Sequence, residues 1–211
     1  MSTDIELLER WQSGEKGAGA ELFERHYASV LRFFHNKCGE QARDLIQRTF
    51  LRCLEARERI HPGSNFRAYL FGIARNVLLE HFRVARRHGA LFDAMQTTAA
   101  DISPMPTPGT VLARQRELQL LMQALRRIPI EHQIALELFY WEQMQGKEIA
   151  AVLGIPEGTV RTRLRRARQL LILEIEALSA SSAEFRSTTS SLDAWADRLR
   201  AAVDRDAQAQ P

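Results

Sequence analysis

Eleven arginines gathered into two short stretches are the residues of this chain whose type and spacing could do chemistry. Residues 59 to 92 hold Arg59, Arg67, Arg75, Arg83, Arg86 and Arg87 against one acid, Glu80, a local charge of +5. Residues 156 to 170 hold Arg161, Arg163, Arg165, Arg166 and Arg168 against Glu157, a local charge of +4. The whole chain carries only +3, so the remainder sums to −6. Guanidinium groups concentrated in this way suit the phosphate oxygens of a nucleic acid. Charge alone is equally compatible with two solvated helix faces. Covalent chemistry is not expected: there is no Gly-rich phosphate loop, no metal-spaced set of His and acids, and no nucleophile beside a base, while the six histidines are scattered. The chain thus reads as no enzyme, with no catalytic residue and no cofactor. His35 and Cys38 stand three apart but lack a second ligand pair, so no metal site is expected. A disulfide between Cys38 and Cys53 is not expected either, since nothing marks the chain as secreted.

The elements that must position these arginines read as helices. Apolar residues recur at intervals of three and four with no sustained alternation, which predicts an all-α fold. The 211 residues can form one large core or two small ones. Between residues 93 and 113 the pattern stops, and Pro104, Pro106, Pro108 and Gly109 predict an extended linker. The expected division is therefore a helical domain at 1–92, a linker at 93–113, a second helical domain at 114–175, and an extension at 176–211. In that extension Leu192, Trp195, Leu199 and Val203 fall close to one stripe of a short amphipathic helix, with a role in docking onto either domain. No stretch is long and apolar enough to span a membrane and no signal peptide is visible, so a cytoplasmic protein without a membrane partner is expected.

In the first domain, Leu22, Phe23, Tyr27, Val30, Leu31 and Phe34 predict a core helix over about 22–34. A second, over about 41–57, would bury Leu45, Ile46, Thr49, Phe50, Cys53 and Leu54. Its other side would carry Asp44, Gln47 and Leu51 in one row, two hydrogen-bonding groups beside an apolar one. His61 to Asn65 is a turn signal, with Ser64 or Asn65 able to cap a helix beginning near Phe66. Along that helix Asn76, Arg83 and Arg87 share an outward row, and Phe66, Tyr69 and Phe71 near its start include rings that could stack on an unpaired base or pack in the core.

The second domain begins with the stripe Leu118, Leu121, Met122, Leu125 and Ile128, ended by Pro129, and continues with a helix holding Ile134, Leu138, Phe139 and Trp141. Lys147 to Leu153, a turn at Gly154, and a helix entered through Pro156 then form a helix-turn-helix. Ala150 permits close crossing and Gly154 can take the left-handed conformation. The second helix of such a motif enters the major groove. Val160, Leu164, Ala167 and Leu171 face inward, and Arg161, Arg165 and Arg168 form an outward row, with Glu157, Gly158, Thr159 and Thr162 near its start.

The stretch from Asp44 to Arg52, followed by Phe66 to Asn76, resembles region two of the extracytoplasmic-function sigma factors, over about Ala18 to His88. Residues 114 to 172, above all Gly158 to Arg168, are similar to region four of the same family. The resemblance implies that Asp44, Gln47 and Leu51 grip the clamp helices of the largest subunit of RNA polymerase core, with the flap as a second contact. It implies that Ser64, Asn65, Phe66, Arg75, Asn76, Arg83, Arg86 and Arg87 melt and hold the minus-ten element of promoter DNA. It assigns Glu157, Gly158, Thr159, Arg161, Thr162, Arg165 and Arg166 to the minus-thirty-five element. Two departures stand out: Arg48 occupies a place where the family commonly has an acid, and Gln145-Gly146 stands where a Ser or Thr cap is usual, a loss on the order of 1 kcal/mol. Whether an anti-sigma factor holds the chain inactive is left open. The second domain by itself would also fit a dimeric helix-turn-helix regulator acting without polymerase; the basic helix of the first domain argues against it.

Overall fold

The structure is a computed structural model, and it describes residues 2–61, 63–85, 97–99 and 113–179, with the side chains of 113–118 excepted. The described residues are helical apart from turns and one isolated bridge between Thr98 and Pro129. Most of the expected linker and all residues beyond 179, including the stripe from Leu192 to Val203, lie outside the described residues.

Four helices build the first domain. Helix α1 (Asp4–Gln12) was not anticipated from the sequence. It is nucleated by a capping box in which Thr3 Oγ1 accepts from the Glu6 amide at 3.3 Å and Glu6 Oε2 accepts from the Thr3 amide at 2.8 Å. It buries Leu7, Leu8 and Trp11 against α2 (Lys16–Cys38). Gly19 on α2 makes room for that contact, because a Cβ there would fall 2.4 Å from Trp11 Nε1. Gln12 extends the seam, its Nε2 donating to the Ile60 and Arg57 carbonyls at 2.7 and 3.0 Å.

Helix α3 (Ala42–Glu55) buries Leu45, Ile46, Thr49 and Cys53. Thr49 is satisfied internally, its hydroxyl donating to the Leu45 carbonyl at 2.7 Å. The chain turns at Gly63, which has φ +74°, and enters α4 (Phe66–Ala85). Asn65 caps that helix: its Oδ1 accepts from the Ala68 amide at 2.9 Å. Phe66 stacks edge-on against Trp11 at 6.4 Å, and Phe71 edge-on against Phe33 at 5.6 Å, so the start of α4 closes the core. Cys38 and Cys53 are both free and buried, and burial pushes each thiol up to about 12.

The second domain comprises α5 (Ala113–Arg127), α6 (Ile130–Tyr140), α7 (Gly146–Leu153) and α8 (Glu157–Leu178). Pro129 separates α5 from α6, and the Ile130 amide donates to the Thr97 carbonyl at 2.8 Å. Trp141 follows α6 and is buried, whereas Phe139 is partly exposed. Between α7 and α8, Gly154 adopts the left-handed conformation (φ 64°, ψ 37°). Pro156 precedes α8 as its cap residue instead of opening its first turn. The missing Ser or Thr before α7 is offset by Glu148, whose Oε2 accepts from the Gln145 amide at 2.7 Å. The two domains touch along α4, which packs against α7.

Candidate nucleic-acid and polymerase interfaces

The row predicted on α3 is a surface. Asp44 and Gln47 are exposed, and Leu51 is 48% exposed. Beside it runs a groove of about 700 Å³ walled by Phe23, Tyr27, Ile46, Phe50, Leu51 and Leu54 and edged by Glu24, Arg43 and Gln47. Tyr27 and Leu54, expected in the core, are both 49% exposed. The α1–α2–α3 packing uses the neighbouring positions on each helix, and Tyr27 instead lies flat against Phe50 with ring centroids 6.3 Å apart. The sequence signal was present, since an aromatic and a leucine at the edge of a wide apolar face can equally line a docking groove. Arg48 lies 3.9 Å from Asp44 Oδ2 and 3.6 Å from Glu80 Oε2. Glu80 is held below the usual carboxylate range chiefly by its hydrogen bonds from Arg52, at 2.7 and 2.9 Å.

On α4 the expected nucleic-acid residues separate. Asn65, Asn76 and Arg83 are exposed, and Ser64 and Arg75 are half-buried. Phe66 is a correction: at 1% exposure it belongs to the core between Trp11 and His26, and its ring is not presented to a base. Phe71 is buried as well, leaving Tyr69 as the partly exposed ring of the three. Arg86 and Arg87 lie outside the described residues.

Arg75 does not point freely to solvent. Its Nε donates to Glu131 Oε1 at 3.0 Å, while Arg163 Nη1 from α8 donates to the other oxygen of the same carboxylate at 2.9 Å. Arg67, which drew no attention in the sequence beyond its charge, donates to Glu142 Oε2 at 2.6 Å.

The beginning of α8 is the most open of the predicted surfaces. Glu157, Gly158, Thr159, Arg161, Thr162, Arg165 and Arg166 are all exposed, while Val160, Leu164, Ala167 and Leu171 are buried. Arg168 departs from the expected outward row. Its Nε donates to the Tyr140 hydroxyl at 2.8 Å and its guanidinium lies 5.4 and 5.3 Å from the Phe139 and Tyr140 ring centres. The row available to a groove is therefore Arg161, Thr162, Arg165 and Arg166, carried on a helix held rigidly by α6 and α7.

Comparison with known proteins agrees with this geometry. Residues 22–88 match sigma-70 region 2, and residues 118–171 match sigma-70 region 4. The chain is 31% identical over 166 residues to the RNA polymerase sigma factor CarQ of Myxococcus xanthus, covering 78% of this chain and 92% of that one. It is 32% identical over 163 residues to the ECF RNA polymerase sigma factor SigL of Mycobacterium tuberculosis, covering 76% and 90%. Among solved structures it is similar to CnrH in complex with the cytosolic domain of CnrY, with a TM-score of 0.61 and 26% identity, covering 83% and 99%. Two sigma regions in order on one all-α chain favour this reading over the stand-alone regulator, and the chain belongs to the extracytoplasmic-function sigma factors of the sigma-70 superfamily, which bind RNA polymerase core and direct it to promoter DNA to initiate transcription.

Proposed function

We propose a division of this work among named surfaces, with the first domain at 1–92, the second at 114–175, and a role in the cytoplasm without catalysis of its own. Asp44, Gln47 and Leu51 dock on the clamp helices of the polymerase, and the adjoining groove lined by Tyr27, Phe50 and Leu54 receives apolar side chains of that partner. The flap is the second polymerase contact. Ser64, Asn65, Arg75, Asn76, Arg83, Arg86 and Arg87 handle the minus-ten element. Glu157, Gly158, Thr159, Arg161, Thr162, Arg165 and Arg166 read the minus-thirty-five duplex.

The observation that carries this reading is the exposed face at the start of α8, where side chains able to read base edges sit ahead of arginines placed to meet phosphates. Strand opening costs a few kcal/mol per extruded base, which contacts to the displaced strand must offset. The α4 arginines supply such contacts.

The test is transcription in vitro with purified core polymerase and a promoter selected from a genomic library. The double variant R161E/R165E and the double variant R83E/R87E should each abolish the specific transcript while leaving core binding intact. D44A/Q47A/L51A should instead weaken core binding. Unchanged transcription from either arginine variant overturns the assignment of that surface.

A further inference from the structure

Half of the charge of −6 outside the basic stretches lies in one segment. Between residues 129 and 148 stand Glu131, Glu137, Glu142 and Glu148 against Lys147 alone. All four carboxylates turn toward basic or amide groups of the first domain. Glu142, 5% exposed, accepts from Arg67 at 2.6 Å and from Arg32 Nη2 at 3.2 Å. Glu131, 3% exposed, is shared by Arg75 and Arg163. Glu148 accepts from Asn65 Nδ2 at 2.5 Å. Glu137 pairs with Lys37 in full burial.

Three of these partners stand at or near the start of α4: Asn65 as its cap, Arg67 in its first turn and Arg75 further along, and of these Asn65 and Arg75 are assigned above to the opened strand. A carboxylate engages a guanidinium through the same charge-assisted fork as a phosphate does. We propose that the acidic face formed by Glu131, Glu142 and Glu148 is an internal mimic of the nucleic-acid backbone, which covers the strand-binding start of α4 in the free chain and must be displaced before single-stranded DNA is held there. The proposal rests on the strand-binding role given to α4 above.

The charged contacts at these positions suit a cover that can be lifted locally. A permanent interface is dominated by apolar groups at its centre, whereas burying ion pairs gains little over apolar packing. When the domains part, each of these charged groups regains water, so separation leaves no large apolar loss at these positions. A competitor bearing phosphates supplies the arginines with equivalent partners. Binding to the covered site is weakened by the fraction of time it spends open, which is the quantity the acids set.

The experiment uses the full chain and a fluorescently labelled 20-nucleotide oligothymidylate, read by anisotropy at low salt. E131Q/E142Q/E148Q should bind about tenfold tighter than the unmodified chain, as removal of a conformational restraint requires. E9Q/E40Q/E176Q removes the same number of charges from exposed positions that make none of these contacts and should stay within about twofold, reporting the general electrostatic gain. Equal tightening in the two variants overturns the proposal.

A second measurement needs no interface substitution. Dyes placed through E9C and E176C report the separation of the domains, because Cys38 and Cys53 are buried and unreactive. Saturating oligonucleotide should change the energy transfer between them; DNA bound with no change overturns the proposal. Arg75→Ala added to E131Q/E142Q/E148Q, the opened variant, separates the strand-binding role of α4 from the mimicry by the acids. Tightening that survives this substitution removes Arg75 from the strand site, whereas no tightening in the opened variant itself removes the mimic.

Discussion

At the scale of single residues, helical periodicity was a better guide to environment than chemical type was. The exposed arginines of α8 were legible because a helix with Val160, Leu164, Ala167 and Leu171 inward leaves Arg161 and Arg165 outward by geometry alone. Phe66 was misread for the converse reason: an aromatic at a helix start serves a base stack and a core equally well, and only the unanticipated Trp11 decides between them. Phe66→Ala should therefore destabilise the first domain by about 3–5 kcal/mol, the range for emptying a buried aromatic site, as measured by urea denaturation. Gly154 gives a second prediction. Nothing lies within 4 Å of a Cβ built there, so Gly154→Ala meets no clash and costs only the strain of the left-handed conformation, roughly 1–2 kcal/mol. Gly154→Asn, better tolerated in that region, should cost less; equal melting temperatures for the two variants would contradict this account.

At the scale of elements, the existence and order of the helices after α1 were readable and their ends were not. Helix α2 runs on to Cys38, beyond the periodic face that announced it, because Lys37 at its end is buried against Glu137 of the other domain. No local pattern foretells such a partner one hundred residues away. Helix α1 could have been found, for Thr3 followed by Glu6 ahead of Leu7 and Leu8 is a capping-box signature. Its attachment yields a prediction: Gly19→Ala places a methyl group against the Trp11 ring, so α1 should loosen. Faster amide exchange over residues 4–12, with α3 and α4 unaffected, is the expected signature in hydrogen-exchange mass spectrometry. Asn65→Ala removes the side-chain cap of α4 and should lower stability by about 1 kcal/mol.

At the scale of the whole molecule, charge partition was visible in the sequence but its pairing was not. The two basic stretches were plain, whereas the acids that face them are spread through a segment whose apolar content dominates any pattern. Histidines buried or half-buried within the domains add a dependence on pH. Burial lowers the imidazole pKa of His26, His81 and His132, in His26 against the opposing pull of Asp4. A histidine whose folded value lies below its unfolded one binds fewer protons when folded. Its contribution is present above about pH 6.5 and is lost as pH falls below that value. Glu137, raised by burial against the pull of Lys37, acts with the opposite sign. The difference between variants isolates the histidine part: His26→Gln should flatten the fall in melting temperature between pH 7 and 5.5. An unaltered pH slope in that variant would exclude the burial of His26 as a source.

The carboxylate of Glu131 bridges one arginine from α4 and one from α8, the helices proposed above to meet the two halves of a promoter. Drawing Arg163 away would leave the carboxylate to Arg75 alone and tighten that pair, and the converse holds with equal force, since coupling between two binding events is reciprocal. Withdrawal of Arg163 by an upstream duplex and release of Arg75 to a melted strand would then oppose each other by the same factor. Spacing between the promoter halves would be sensed through one shared acid as well as through the reach of the chain that joins the domains.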